Sequence, residues 1–202
     1  MIKTRLKEAP TSEPVTLAEM KIHLHCDADI TTEDALISSL IKAAREHVES
    51  ITGRALGTQE WYAYLDCFPS DGYIKLPFGS LQSVSAVKYK DSTGVETTLQ
   101  ATSQYLVDLS SEPGRVVLPY AVSWPSFTPY PVNPITIEFT CGYDTNEDTG
   151  PVPESIKAAI KLFVADMYEN RESQIAVTGI SQFAENRTAI NLITPYRLWD
   201  FY

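Results

Sequence analysis

Cysteine and histidine are scarce in this chain, with three of each among 202 residues. Cys26, Cys67 and Cys141 are far apart, odd in number and without a CxxC pair, which excludes a disulfide framework and a cysteine-based zinc site. The expectation for all three is a small, buried apolar side chain. Long hydrophobic runs are also missing. No apolar stretch approaches the ~20 residues that cross a bilayer, and the opening MIKTRLKEAP lacks the apolar core of a signal peptide. The expectation is a protein made in the cytosol that does not enter a membrane. Positive charge is short as well. Lys and Arg number 16 against 26 Asp and Glu, a net charge of −10, the opposite of a basic nucleic-acid footprint. The middle of the chain is the most acidic part, which serves solubility at least.

Signatures of phosphate and acyl chemistry are absent too. There is no GxxxxGK[ST], no GxGxxG and no GxSxG. The densest group of ligand-type residues is His23-Leu24-His25-Cys26-Asp27, but residues two apart on a helix point to different sides. No second cluster completes a tetrahedral metal site. Asp27, Asp29, Glu33 and Asp34 lack the order and terminal glutamate of an EF-hand and read as helix-capping acids. Asp144, Glu147 and Asp148 read as a solvated loop. No catalytic, cofactor-binding or metal-binding residue is therefore assigned, and the expectation is a protein that is not an enzyme. The competing reading, a small hydrolase with a cryptic carboxylate site, calls for a pocket holding two or more strongly shifted titrating groups.

What is present is clear periodicity. Thr16-Leu17-Ala18-Glu19 has capping-box spacing, with Leu17, Met20 and Leu24 on one face of a short helix ending near His25. A second start at Thr31-Thr32-Glu33-Asp34 leads into Leu36, Ile37, Leu40, Ile41, Ala44, Val48 and Ile51, an amphipathic helix of about five turns closed by Gly53. Its other face carries Ser38, Lys42, Arg45, Glu46 and Glu49. From Thr58 the period becomes two, with Trp61, Ala63, Leu65 and Cys67 alternating with Tyr62, Tyr64 and Asp66. Further strands are expected at 73–76, 83–90, 95–99, 104–108, 114–118 and around Ile135, Ile137 and Phe139. Asp91-Ser92-Thr93-Gly94 is a hairpin turn, and the proline-rich stretch from Pro119 to Pro134 is an extended loop. After a polar linker, Pro153 and Glu154 open a third helix with Ile156, Ala159, Ile160, Phe163, Val164 and Met167 on one side. Beyond Arg171 clear periodicity is lost.

The fold expected is α+β: a small helical core of two N-terminal helices and one C-terminal helix, with an antiparallel β insertion. Residues 1–57 and 151–172 form the core, 58–150 the insertion and 173–202 a C-terminal arm. That arm ends in Tyr196, Arg197, Leu198, Trp199, Asp200, Phe201 and Tyr202. Such an aromatic, arginine-bearing end either docks on its own subunit or anchors a partner.

Several stretches, in order, resemble the head–tail connector (adaptor) proteins of tailed phages. They include Pro14-Val15-Thr16-Leu17-Ala18-Glu19-Met20-Lys21, Glu33-Asp34-Ala35-Leu36-Ile37, Ala43-Ala44-Arg45-Glu46-His47-Val48-Glu49 and Thr52-Gly53-Arg54-Ala55-Leu56. Ile74-Lys75-Leu76-Pro77, Leu81-Gln82-Ser83-Val84, Pro113-Gly114-Arg115-Val116 and Phe139-Thr140-Cys141-Gly142-Tyr143 are similar to a longer phage and prophage branch. So are Val152-Pro153-Glu154-Ser155-Ile156-Lys157-Ala158-Ala159-Ile160 and Tyr168-Glu169-Asn170-Arg171-Glu172. The resemblance implies a structural subunit of the virion neck, assembled in the host cytoplasm. Copies would form a ring, a dodecamer in the virion, beneath the portal protein. The ring would extend the DNA channel, without specific DNA binding, and dock a stopper or tail-completion protein. It needs no cofactor. It implies portal contact by Tyr196, Arg197, Leu198, Trp199, Phe201 and Tyr202. Arg45, Glu46 and Glu49 become candidates for pairing across subunits, and the acidic surplus for a channel wall that DNA passes without sticking. Alternatives are another neck component, such as a stopper or tail terminator, or a host-derived binding module without ring assembly.

Overall fold

A computed structural model describes residues 2–144, 150–170 and 186–199. The chain falls into two compact units. Four helices, a short 3-10 turn and two antiparallel sheets give the α+β class expected from the periodicities.

The helical unit contains α1 (Leu17–His23), α2 (Asp34–Thr52), α3 (Glu154–Glu169) and α4 (Arg187–Ile193). α1 starts where the capping box predicts. The Thr16 hydroxyl accepts from the Glu19 amide at 3.2 Å, and the Glu19 carboxylate accepts from the Thr16 amide at 2.8 Å. Replacing Thr16 by alanine leaves an amide unpaired and is expected to cost about 1 kcal/mol, read from the shift in the unfolding midpoint in urea. α2 buries Ile37, Ile41, Ala44 and Val48, the three- and four-residue steps of its stripe, and Gly53 closes it at φ +69°. α3 buries Ile156, Ala159, Ile160 and Val164. It packs between α2 and α4, and α1 touches both α2 and α3. Glu33 sits at the N-cap of α2 but makes no side-chain cap bond. Its carboxylate instead accepts from the Tyr168 hydroxyl, which corrects its reading as a capping acid.

The β unit holds a five-stranded sheet in the order β1-β2-β8-β4-β5 and a three-stranded sheet in the order β3-β7-β6. The strands are β1 (Lys3–Glu8), β2 (Gln59–Leu65), β3 (Tyr73–Lys75), β4 (Leu81–Lys90), β5 (Glu96–Thr98), β6 (Leu106–Asp108), β7 (Arg115–Val117) and β8 (Ile135–Cys141). β8 is central, and its alternation is complete: Ile135, Ile137, Phe139 and Cys141 are buried, Thr136, Glu138 and Thr140 half-buried. The Asp91 carboxylate builds the predicted hairpin turn by accepting from the Thr93 amide at 2.9 Å and the Val95 amide at 3.0 Å. The Pro119–Pro134 loop is pinned by aromatic contacts. Trp124 stacks on Phe68 at 4.6 Å, and Phe127 meets Tyr89 at 4.7 Å.

Two elements have no counterpart in the sequence reading. β1 is exposed along its whole length, so it shows no apolar alternation to read. α4 spans only seven residues and, unlike α1, has no capping box to mark its start. The cysteines also divide. Cys141 is buried in β8 and Cys26 is half-buried, but Cys67 is exposed. Cys67 lies beyond the end of β2, where the alternation that would bury it has stopped.

Candidate functional site

The His23–Asp27 cluster lies at the end of α1 and in the loop that follows. His23 and His25 are exposed, and Cys26 Sγ lies 3.8 Å from the Tyr168 hydroxyl. Lys21, Cys26, Glu33 and Tyr168 line a small hollow there. The Tyr168 phenol is pushed up to about 12, first by its hydrogen bond to Glu33 and then by Cys26. A phenol held protonated in this way is a donor that ties α3 to the start of α2, not a base or nucleophile at neutral pH. Among the described residues, no three His, Cys, Asp or Glu side chains gather in a metal-holding group.

Arg45, expected on an exposed helix face, is buried with 7% of its side chain accessible. Its Nε donates to Glu13 at 2.8 Å and its Nη1 to Glu49 at 2.6 Å. Glu49 is itself engaged twice, because its second oxygen accepts from the Leu56 amide at 2.8 Å. The physical reason is Glu13. It lies ahead of α1, where no sequence periodicity announces it, and lays a carboxylate over the guanidinium. Arg45 and Glu49 are therefore committed inside their own subunit, a correction to their reading as exposed charges. Glu46, 69% exposed and 3.4 Å from Arg45, is the one of the three that faces outward.

The outer face of the large sheet carries charges of both signs. Lys7 of β1 bridges Glu60 at 2.9 Å and Glu138 at 3.3 Å, and Lys88 of β4 meets Glu138 at 2.7 Å. Lys3 pairs with Asp66 at 3.2 Å. Lys88 first and Lys7 second hold the Glu138 carboxyl below its usual range. Glu60 first and Glu138 second raise Lys7. Tyr62 and Tyr64 lie stacked on β2, 6.1 Å apart. On this face lysines of β1 and β4 stand against acids of β2 and β8.

The C-terminal end is the most distinctive surface. After α4 the chain makes a 3-10 turn over Thr194–Tyr196 and returns to the end of α2. The buried Arg54 donates through Nε to the carbonyl of Tyr196. Two residues on, the Leu198 amide donates to the Thr52 carbonyl at 2.8 Å. Leu198 lies against Gly53, where an added Cβ would stand 3.7 Å from its own. Arg197 and Trp199 are exposed, Trp199 to 71%, and the guanidinium lies 4.7 Å from the centre of the indole. Of the six expected portal-contacting residues, Tyr196 and Leu198 are half-buried on their own subunit, and Arg197 and Trp199 face outward. Phe201 and Tyr202 lie outside the described residues. The tethering role of Arg54 was not read from the sequence. Its one signal is an arginine directly after a helix-closing glycine.

Comparison with known proteins bears on the fold. Residues 14–112 match the family model described as phage gp6-like head–tail connector protein. None of the curated proteins matches the chain. Among solved structures, a chain from the neck of an empty GTA particle, computed with C6 symmetry, superposes with a TM-score of 0.78 at 23% identity. The match covers 99% of this chain and 97% of that one. A chain from the virion of a native gene transfer agent particle gives 0.76 at 23% identity over 98% and 97%. One from the neck of a native GTA particle, computed with C12 symmetry, gives 0.73 at 22% over 98% and 97%. These likenesses establish that the fold is that of the neck chains.

Proposed function

We propose that this chain, which matches the phage gp6-like head–tail connector model over residues 14–112, is a structural, non-enzymatic ring subunit of a particle neck. Twelve copies close a ring beneath the portal, extend the DNA channel and offer their far side to a stopper or tail-completion protein. The observation that carries this reading is the family match over residues 14–112, joined to end-to-end superposition on neck chains. Ring closure is a physical task of heterologous association. One face of each copy fits the opposite face of the next, and the rotation closes. Four helices favour a connector over a stopper or terminator, which are predominantly β.

Within the ring, the C-terminal end reaches the portal and the outward part of α2, at Glu46, contributes to the neighbouring copy. DNA meets a wall that does not hold it, because phosphate contacts strong enough to bind would arrest its passage. On the outer face of the large sheet, lysines paired to acids serve that end by neutralisation rather than by uniform negative charge.

Electron microscopy of the purified protein mixed with portal-bearing heads tests the proposal. Ring density directly beneath the portal, at the portal's own symmetry, is the expected result. Portals that remain bare at saturating protein would refute it. A lone subunit that is monomeric in solution is compatible, since the portal serves as the template.

A further inference from the structure

We infer that Arg54 and the backbone of Thr52 are positioning elements that hold the C-terminal end as a preformed docking element, with Arg197 and Trp199 as its contact pair. The inference rests on the proposed reading of that end as the portal anchor and specifies how the anchor is built.

Two tethers flank Arg197, one on the last residue of the 3-10 turn and one on Leu198. Arg54 takes the carbonyl of Tyr196, and the Thr52 carbonyl takes the amide of Leu198. Arg197 between them is extended, at φ −68° and ψ 129°. In extended backbone successive side chains point to opposite sides. Fixing 196 and 198 against the subunit therefore turns 197 and 199 outward, as their exposure shows. Gly53 lies beside this segment, where an added Cβ would make only ordinary contact with Leu198, so what calls for glycine is its backbone conformation. It takes the left-handed conformation at φ +69°, which turns the chain out of α2 at the point where Leu198 docks. Thr52 is itself locked, with its hydroxyl donating to the Val48 carbonyl at 2.8 Å. The tether is thus rooted in the rigid end of a 19-residue helix.

The pair it presents has a definite chemistry. An exposed indole beneath a guanidinium is an apolar plate carrying a positive charge, the residue types that dominate interface hot spots. Its complement is an apolar slot for the indole with a carboxylate at its rim for Arg197. Holding the segment in place before contact removes the ordering cost of several backbone residues from the binding step.

Three single variants, assayed for binding to purified portal rings of the same particle, separate this inference from the reading it rests on. Trp199→Ala removes the anchor. Leu198→Pro removes the amide that meets Thr52, at a position outside the core whose preceding residue already has the extended backbone proline requires. Arg54→Gln removes the tether to Tyr196. The expected result is loss of binding by Trp199→Ala. Leu198→Pro and Arg54→Gln are expected to weaken binding by about tenfold or more, at a melting temperature unchanged for Leu198→Pro. Wild-type affinity in Leu198→Pro, with binding lost in Trp199→Ala, overturns the positioning role and leaves the anchor standing. Wild-type affinity in all three overturns the anchor as well. Should Arg54→Gln fail to fold, Leu198→Pro decides alone.

Discussion

Gly142→Ala is expected to destabilise the β unit by about 4 kcal/mol or more. Gly142 follows β8 directly, with φ at +116°, a backbone conformation that side-chain-bearing residues rarely adopt. A Cβ there would stand 2.0 Å from the carbonyl oxygen of Gly57 and 2.6 Å from its carbon. These atoms are backbone and cannot rotate aside. They lead into β2, whose first residue Gln59 pairs with Cys141. Relief of the clash must therefore part the two strands at the centre of the sheet. The Gln82 side chain donates to the Gly142 carbonyl and to the Thr58 hydroxyl, both at 2.9 Å, so it too would lose its seat. Gly150→Ala is the control. Its φ of +64° lies in the left-handed region, where the backbone penalty is about 1–2 kcal/mol and milder than at +116°, and nothing lies within 4 Å of the added carbon. Thermal unfolding of the two variants side by side sets the cost at Gly142 against that of a left-handed glycine with open space around it. A Gly142→Ala melting temperature equal to that of the Gly150→Ala control would show the close approach to be unimportant.

Arg45→Ala is expected to cost the helical unit about 3 kcal/mol. Removing the guanidinium leaves Glu13, Glu46 and Glu49 facing one another at one end of a largely buried network. Two of these carboxylates have little water to replace the lost partner, and like charges then repel. The loss spreads further, because Glu49 also holds the Leu56 amide and so secures the chain as it leaves α2. The figure sits at the low end of what breaking a buried pair costs, since Glu13 and Glu49 keep some contact with solvent. Arg45→Lys should recover part of it, having the charge but not the planar fork that serves two carboxylates at once. Hydrogen exchange of the α2 amides, together with the calorimetric melting temperature, reads the effect. A drop below 1 kcal/mol would show the network to be as weak as an exposed one.

Periodicity determined much of this protein. Apolar residues at three- and four-residue steps are enough to place α2 and α3. Strict alternation is enough to place β2 and β8, because in both cases one face is buried and the other is not. The Thr16–Glu19 cap and the Asp91–Gly94 turn were legible for a related reason. Each is satisfied by residues within a few positions of itself. The ordered motifs, read as a resemblance, added the connector family, which the match over residues 14–112 supports.

Only tertiary structure decided what depends on partners distant in sequence. β1 pairs through backbone bonds that any exposed sequence can make, so Lys3–Glu8 carries no pattern. Arg45 looked like a surface charge because Glu13, 32 positions away, is what buries and pairs it. Arg54 reaches across 142 positions to Tyr196, a contact that exists only once α4 has brought the chain back to the end of α2. Scarcity itself had to be read the same way. The few cysteines excluded a disulfide framework from the sequence alone, but whether each lay inside or outside depended on where β2 stopped, and Cys67 fell beyond it.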